Sequence, residues 1–301
     1  MKKNLLPLFL FLTLAPALVR AQSAGDEMFS TVRDLEVLPR VSRAAYIKDH
    51  LKALGVGYVA APFKKITVVQ RKDTTGVRDT IVITGENIIA RFGGGAKRII
   101  IGAHYDSDEH SPGANDNASG VAVALELIQR MRSAGWNYSI DVCFFDREEE
   151  GLLGSMNYIT QFAVGKKHLA MINLDVEGTG SEVFVGPVGS NSRFLMRYVH
   201  EAAKETGYDV QQSTDYPMSD YMPFAANHLE SISISVVPKG DSEKLARFVQ
   251  NGYKADSGDV PQVLGVMHTP FDRSTLVTTA ALNMSYTFTR TLLLLLNDSG
   301  R

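Results

Sequence analysis

Short apolar runs alternate with longer segments of helical character along the middle of the chain. β-branched and aromatic side chains dominate the short runs, which is typical of buried strands, at residues 98–101, 139–145, 169–174 and 231–237. Residues 121–134 are apolar on most faces and long enough for a buried helix. Strands that alternate with helices predict an α/β three-layer sandwich, in which helices cover both faces of a mixed, mostly parallel central sheet.

The flanking segments add further elements to this pattern. Residues 22–55 predict helix ending at Gly55, and residues 65–70, 80–84 and 87–92 predict antiparallel edge strands that lead into the strand at Ile99. The remaining pattern predicts a strand at 181–186 and helices at 154–162, 194–204, 219–226 and 274–297. The polar insertion at 238–267 has room for one short helix at 242–250, and a connection this long is more often functional than idle.

The N-terminal residues have the pattern of a secretory signal peptide. Two lysines precede an apolar run over residues 5–19, and Val19-x-Ala21 fits a cleavage site, so residues 1–21 are predicted to be removed. The apolar run is short for a membrane span. We therefore expect an exported protein, periplasmic or extracellular, whose mature chain has no membrane span and forms one domain over residues 22–301.

Composition excludes several classes of protein. The formal net charge is −2 and no basic block stands out, so neither a nucleic acid nor an anionic membrane is an expected partner. Cys143 is the sole cysteine, which rules out an intramolecular disulfide. Its position in an apolar strand pattern makes it a poor nucleophile, because burial disfavours the thiolate.

Histidine or acidic residues follow three successive core strands, at the point where each strand ends. Because the carboxyl ends of parallel strands meet at one edge of a sheet, these side chains should converge. The predicted set comprises His104, Asp116, Glu148, Glu149, Asp175 and His268. Imidazole and carboxylate ligands together suit zinc. His110, in the loop between His104 and Asp116, is a rival ligand.

Five motifs in this order resemble a known family. They are Gly-Ala-His-x-Asp-Ser at 102–107, Gly-Ala-x-Asp-x-Ala-Ser-Gly at 113–120, Glu-Glu-x-Gly-Leu-x-Gly-Ser at 148–155, Asn-Leu-Asp at 173–175 and His-Thr at 268–269. The combination is similar to the secreted two-zinc aminopeptidases, whose relatives include glutamate carboxypeptidase and glutaminyl cyclase. Residues 22–60 carry no signature of this family.

The resemblance implies a role for each motif residue. Asp116 would bridge two Zn²⁺ ions, with His104 and Asp175 completing one site. Glu149 and His268 would complete the other. Three carboxylates and one hydroxide would then balance the charge of the two ions. Asp106 would accept a hydrogen bond from the His104 ring and orient it.

The same resemblance implies the reaction. A metal-bridged hydroxide would hydrolyse the N-terminal peptide bond, with Glu148 as the general base. The Asp116–Asn117 peptide bond would be cis, and Tyr216 would hydrogen-bond the tetrahedral intermediate. Glu177 is a candidate to anchor the free α-amine of the substrate, since two residues on an extended chain point the same way.

One motif departs from the family pattern, and two alternative functions stay open. Many relatives have Ser-Asp-His where this chain has Ser219-Asp220-Tyr221. A glutaminyl cyclase-like acyltransferase is the alternative within the fold, although cyclases typically place Trp before the last zinc-binding His, where this chain has Met267. A non-catalytic ectodomain of the same fold is a second alternative, although every metal ligand is kept here. The loops at 213–230 and 238–267 would determine the preferred substrate side chain, and the expected oligomeric state is a monomer or a small homo-oligomer.

Overall fold

The computed structural model describes residues 14–70, 78–163, 168–255 and 258–300. Eight strands form one mixed sheet: β1 (Tyr58–Gln70), β2 (Arg78–Gly93), β3 (Arg98–His104), β4 (Ser139–Phe145), β5 (His168–Leu174), β6 (Glu182–Gly186), β7 (Val210–Gln212) and β8 (Ser231–Val237). Their order across the sheet is β1-β2-β4-β3-β5-β8-β6-β7. The four central strands β4, β3, β5 and β8 run parallel, while β2 and β6 run antiparallel to their central neighbours.

Helices cover both faces of this sheet. They are α1 (Leu14–Glu36), α2 (Arg40–Ala53), α3 (Ser119–Met131), α4 (Leu153–Tyr158), α5 (Arg193–Thr206), α6 (Tyr221–Ala226), α7 (Asp241–Gln250) and α8 (Thr279–Asp298). On one face α1, α3 and α5 pack against α8, and on the other α4 packs against α6. The two faces bury separate apolar clusters, so the predicted three-layer α/β sandwich is confirmed.

Side chains of the central strands are buried on both faces. Ile99 and Ile101 of β3 pack into one apolar cluster, and Ile100 of the same strand packs into the other. A strand covered on both faces has a continuous apolar run rather than an alternating one. The strands β3, β4, β5 and β8 could therefore be predicted from the sequence, because burial on both faces produces a continuous apolar run.

The edge strands differ from the prediction. The runs at 80–84 and 87–92 form the single strand β2, and this strand pairs with β4 rather than with the β3 strand that it precedes. Ile88 of β2 lies opposite Phe144 of β4. The predicted antiparallel edge pairing is confirmed for β1 and β2, and β2 adds to β4 because β4 and β5 occupy both edges of β3.

Helix boundaries also depart from the prediction in two places. The single N-terminal helical segment is divided into α1 and α2 at Pro39, which precedes the first residue of α2 with an extended backbone. The last helix begins at Thr279 rather than Ser274, because the Thr278 side chain accepts a hydrogen bond from the Ala281 N–H and caps it. The short strand β7 was not predicted, since three residues carry too little periodicity.

The N-terminal segment packs as part of the fold from Ala24 onward. Residues 1–13 of the predicted signal peptide lie outside the described residues. Along α1, one face is buried against the body of the molecule at Ala24, Met28, Val32 and Leu35. Among the described helices, none combines the length and the apolar character that a membrane span requires.

Candidate metal centre

The carboxyl ends of the parallel strands bring the predicted ligands together. His104 is the last residue of β3, and Asp175 follows β5 directly. The His104 Nε2 atom lies 3.1 Å from Asp116 Oδ1 and 3.5 Å from Asp175 Oδ1. On the other side of Asp116, the His268 Nε2 atom lies 3.2 Å from Asp116 Oδ2 and 3.0 Å from Glu149 Oε2. Asp116 therefore lies between the two imidazoles.

The donor atoms fit two metal ions that share one ligand. Two groups of three, His104–Asp116–Asp175 and Asp116–Glu149–His268, each have one ligand atom per residue within 4.8 Å of one another. The Ser219 hydroxyl donates to Asp175 Oδ2, whereas the buried Asp175 Oδ1 has no hydrogen-bond partner among the described residues. An acceptor left in this way is what a cation requires, and the mixed imidazole and carboxylate set suits zinc.

The loop that carries Asp116 is held by a residue that sequence reasoning missed. The Asp272 carboxylate accepts hydrogen bonds from the Asn115 N–H at 2.8 Å and from the Asp116 N–H at 3.0 Å. Asp272 comes four residues after His268, so this contact joins the two ligand segments. The sequence feature that could have pointed to Asp272 is the short polar turn around Pro270. The Asp116–Asn117 peptide bond is cis, as predicted.

Asp106 has a different main contact from the predicted one. Its Oδ1 atom lies 3.5 Å from the His104 Nδ1 atom, which is longer than a normal hydrogen bond. Its two oxygens instead accept hydrogen bonds from the backbone N–H groups of Glu148, at 3.1 Å, and Glu149, at 3.2 Å. Asp106 thereby fixes the turn after β4 from which both glutamates project.

Burial and mutual repulsion disfavour charge on the glutamates. Burial raises the pKa of Glu148 well above its usual range, and the carboxylates of Asp220, Asp175 and Asp116 add to this, while His104 opposes it. Burial raises the pKa of the Glu149 carboxyl in the same direction. Asp220, which the sequence did not single out, is fully buried, and burial raises its pKa to about 7.

The neighbouring carboxylates raise the pKa of both histidines, which favours their charged form. Hydrogen bonds to Asp116 and Glu149 raise the pKa of His268 to about 11, although partial burial opposes this. Burial lowers the pKa of His104, but the Glu148 charge and the contacts with Asp106, Asp116 and Asp175 outweigh burial and raise it well above 6.5. In the metal-free chain the surrounding carboxylates therefore favour the charged form of both imidazoles.

An apolar cavity of about 530 Å³ opens beside the metal ligands. His104, Asp116, Glu148 and Asp175 lie at one end, and its walls include Phe184, Leu245, Phe248, Val260, Leu264 and Met267. Five of these six wall residues belong to the 238–267 insertion. The insertion therefore builds much of the wall of a cavity in which the ligand set is the main polar feature.

The chain matches the sequence profile of Peptidase family M28 over residues 87–288, about two thirds of its length. This chain belongs to peptidase family M28. The predicted resemblance is thus confirmed, and membership agrees with the predicted class of enzyme, a hydrolase of peptide bonds.

Two curated relatives are similar to part of the chain. The aminopeptidase YwaD of Bacillus subtilis is 34% identical over 139 residues, which are 44% of this chain and 30% of that one. A probable leucine aminopeptidase of Trichophyton verrucosum is 29% identical over 181 residues, 54% of this chain and 47% of that one. The matches thus span less than half the length of these curated relatives.

Solved structures share the fold over most of the chain. A zinc aminopeptidase from Bacillus subtilis superposes with a TM-score of 0.72 and 17% identity, covering 90% of this chain and 94% of that one. The glutaminyl cyclase of Porphyromonas gingivalis superposes with a TM-score of 0.64 and 22% identity, covering 89% and 97%. At these identities the likeness establishes the fold.

Three other candidates lie outside the M28 ligand set. The Tyr216 hydroxyl lies 2.7 Å from Ser235 Oγ, which itself donates to the Asp175 carbonyl, so Tyr216 donates its proton to Ser235. Glu177 is fully buried and accepts from the Asp175 N–H, and it does not line the cavity. The His110 side chain is 68% exposed and lies near Asp108 and Glu109. The structure therefore brings neither Glu177 nor His110 into the site, and Tyr216 lies in the cavity wall.

Metal binding to the M28 site should release protons. Because the pKa of His268 is raised to about 11 and that of His104 lies well above 6.5, zinc must displace a proton from each imidazole. We expect net proton release at pH 7 and an apparent affinity that keeps rising with pH toward the pKa of His268, about 11. Calorimetry in buffers of different ionisation enthalpy measures this number, and a zinc affinity independent of pH would contradict the assigned ligands.

Proposed function

We propose that this chain is an exported, zinc-dependent aminopeptidase. The observation that carries the proposal is the pair of ligand groups that share Asp116, with Glu148 beside them at the end of an apolar cavity. Each element alone is common in proteins. Together they supply ligands for two ions, a nearby base and a recess for one side chain, which is what hydrolysis at a peptide terminus requires.

The cavity supports action at the N-terminal residue. A space of about 530 Å³ with apolar walls is large enough for a large apolar side chain of the substrate, and the carboxylates lie at one end of it. With that side chain in the cavity, the free α-amine of the substrate lies near the carboxylates at its polar end. A cationic amine is favoured among acidic groups, whereas an acylated amine has lost the charge and gained bulk.

The protein groups have defined parts in the proposed reaction. When bound, zinc activates a water molecule and polarises the peptide carbonyl as a Lewis acid. Glu148 accepts the proton of the water and delivers it to the departing amine nitrogen. Burial raises the pKa of Glu148 in the metal-free chain, and the charge of bound zinc would lower it again. Asp106 keeps the Glu148 backbone in place through the hydrogen bond from its N–H.

The pattern of residues 1–21 supports export, and we propose cleavage after Ala21, a periplasmic or extracellular location and one peptidase domain over 22–301. Glutaminyl cyclase activity has less support. Trp136, the sole tryptophan, donates its indole N–H to the Met131 carbonyl and packs against Phe92, away from the cavity. The residue before His268 is Met267, where cyclases typically have Trp.

The function is tested by metal analysis together with a peptide assay. We expect about two zinc ions per chain and hydrolysis of peptides with a free apolar N-terminal residue, because the cavity wall is apolar and the site is acidic. Acetylation of the same peptides should abolish cleavage, and Leu should be preferred to Lys or Glu at the first position. Cyclisation of N-terminal glutamine without peptide hydrolysis would instead indicate the acyltransferase.

Glu148 and Glu149 should respond differently to the same substitution. Glu148→Gln keeps the size of the side chain but cannot accept a proton, so turnover should fall by about 10²–10⁴-fold while zinc content is retained. Glu149→Gln should lose zinc, and stability with it, because bound metal contributes to folding. Turnover, zinc content and thermal unfolding of both variants are measured side by side. Zinc loss in Glu148→Gln alone would show that the two roles are reversed.

The role of Tyr216 is tested by removing its hydroxyl. Loss of a donor to the tetrahedral intermediate would lower turnover by about 10²–10³-fold. Because the Tyr216 hydroxyl is engaged with Ser235, we expect Tyr216→Phe to have a much smaller effect on turnover. Tyr221→Phe is the matched control, since its hydroxyl donates to the Tyr216 carbonyl but Tyr221 does not line the cavity. A large fall in turnover for Tyr216→Phe alone would support the role predicted from sequence.

A further inference from the structure

Arg43, on α2, is a fully buried cation that the reaction does not use. Its side chain is 1% exposed, and the guanidinium faces backbone carbonyls from two parts of the chain. The Nε atom donates to the Leu35 carbonyl at 3.1 Å and the Leu38 carbonyl at 3.2 Å, within the turn between α1 and α2. Both terminal nitrogens point the other way, toward the loop between His104 and Asp116.

The contacts of Arg43 hold both ends of that loop. Nη1 donates to the Tyr105 carbonyl at 3.2 Å, directly after the ligand His104. Nη2 donates to the Pro112 carbonyl and lies 3.5 Å from the Gly113 carbonyl, three residues before the ligand Asp116. A guanidinium presents five N–H donors in a rigid fork, so one side chain can fix several carbonyls at once.

The geometry at Gly113 shows how closely the loop approaches this guanidinium. Gly113 has a φ of 59°, in the left-handed region that favours glycine. A Cβ atom at this position would lie 2.5 Å from the Asp116 carbonyl oxygen and 3.4 Å from Arg43 Nη1. The loop thus passes between the Arg43 side chain and the backbone of the bridging ligand.

The electrostatic environment explains how a charge is retained at this depth. Burial lowers the pKa of Arg43, but the nearby carboxylates of Asp106, Asp272, Asp116 and Glu149 oppose this. A buried cation is costly unless it is hydrogen-bonded and electrostatically compensated. Here the compensation comes from the acidic site, so Arg43 and the metal ligands depend on one another.

A second contact joins the same N-terminal segment to the other ligand loop. Glu36, the last residue of α1, accepts a hydrogen bond from the Ser274 N–H at 3.0 Å and lies 3.6 Å from the Arg273 guanidinium. These residues directly follow Asp272, which binds the backbone of Asp116. Residues 36–43 therefore contact two of the three segments that carry the ligands of the second ion, those of Asp116 and His268. They lie outside residues 87–288, over which the family profile matches.

We propose that Arg43 is a positioning residue of the metal centre. By fixing the carbonyls of Tyr105, Pro112 and Gly113, it sets the path of the loop that places Asp116 between His104 and His268. Arg43 touches neither the metal ligands' donor atoms nor the cavity, so it acts through the loop backbone. This inference rests on the zinc site of the proposed function.

The test compares zinc binding in Arg43→Met and Arg43→Lys with that in Arg98→Met. The control loses a well-buried arginine whose partner is Asp141, in the core of the sheet and away from the metal loop. Zinc affinity is measured by competition with a chelator, and the ligand geometry by the visible absorption spectrum after substitution with Co²⁺. Thermal unfolding of each metal-free variant measures the purely structural effect.

We expect Arg43→Met to bind zinc about 10–100-fold more weakly than the unaltered protein, with a changed Co²⁺ spectrum. Arg43→Lys keeps the charge but not the five N–H donors of the guanidinium, so its zinc affinity should lie between those of Arg43→Met and the unaltered protein. Arg98→Met should unfold at a lower temperature, with its zinc affinity and Co²⁺ spectrum unchanged. If Arg43→Met does not fold, a weaker zinc affinity in folded Arg43→Lys still supports the inference.

Two results would contradict the proposed role of Arg43. Unchanged zinc affinity and an unchanged Co²⁺ spectrum in folded Arg43→Met, or in Arg43→Lys where Arg43→Met does not fold, would show that Arg43 only stabilises the fold. The same conclusion follows if Arg98→Met weakens zinc binding equally. Failure of the unaltered protein to bind zinc would instead overturn the proposed function, so the two failures are distinguishable.

Discussion

One carboxylate, that of Asp116, lies between two imidazoles and organises the functional edge of the molecule. Its oxygens are 3.1 Å from His104 Nε2 and 3.2 Å from His268 Nε2. His104 ends a core strand, whereas His268 follows the long insertion. The Asp116 loop must therefore be fixed relative to both, and the surrounding hydrogen bonds serve this requirement. Asp272 holds the N–H groups of the loop, and Arg43 holds its carbonyls.

The concentration of acidic groups is the main energetic problem of this site. Burial raises the pKa of the Glu148, Glu149 and Asp220 carboxyls, which means that the fold resists their ionisation. Two divalent cations would relieve that resistance, because they supply positive charge where the carboxylates converge. The protonated histidines do so in part when metal is absent. Metal binding and folding are accordingly expected to stabilise one another.

Apolar and polar side chains occupy separate parts of the site. The ligand set occupies the carboxyl edge of the sheet, where parallel strands end together. The 238–267 insertion, through α7 and residues 260–267, adds the apolar wall next to it. The sheet edge thus provides the candidate ligands, while the 238–267 insertion provides most of the apolar wall beside them. Changes in the insertion should alter substrate preference with little effect on metal binding.

The sequence by itself determined the α/β class, the core strands and the convergence of the candidate ligands at one sheet edge, because these follow from patterns along the chain. Continuous apolar runs mark strands buried on both faces, and His104 or Asp175 at a strand end marks the functional edge. The pairing of β2 with β4, the contacts of Arg43 and Asp272, and the burial of Glu177 depend on which segments meet in space. Arg43 is 73 residues from Asp116 along the chain and has no periodicity or motif that links the two. Only the tertiary structure decides such contacts, since they join backbone groups whose positions the whole fold sets.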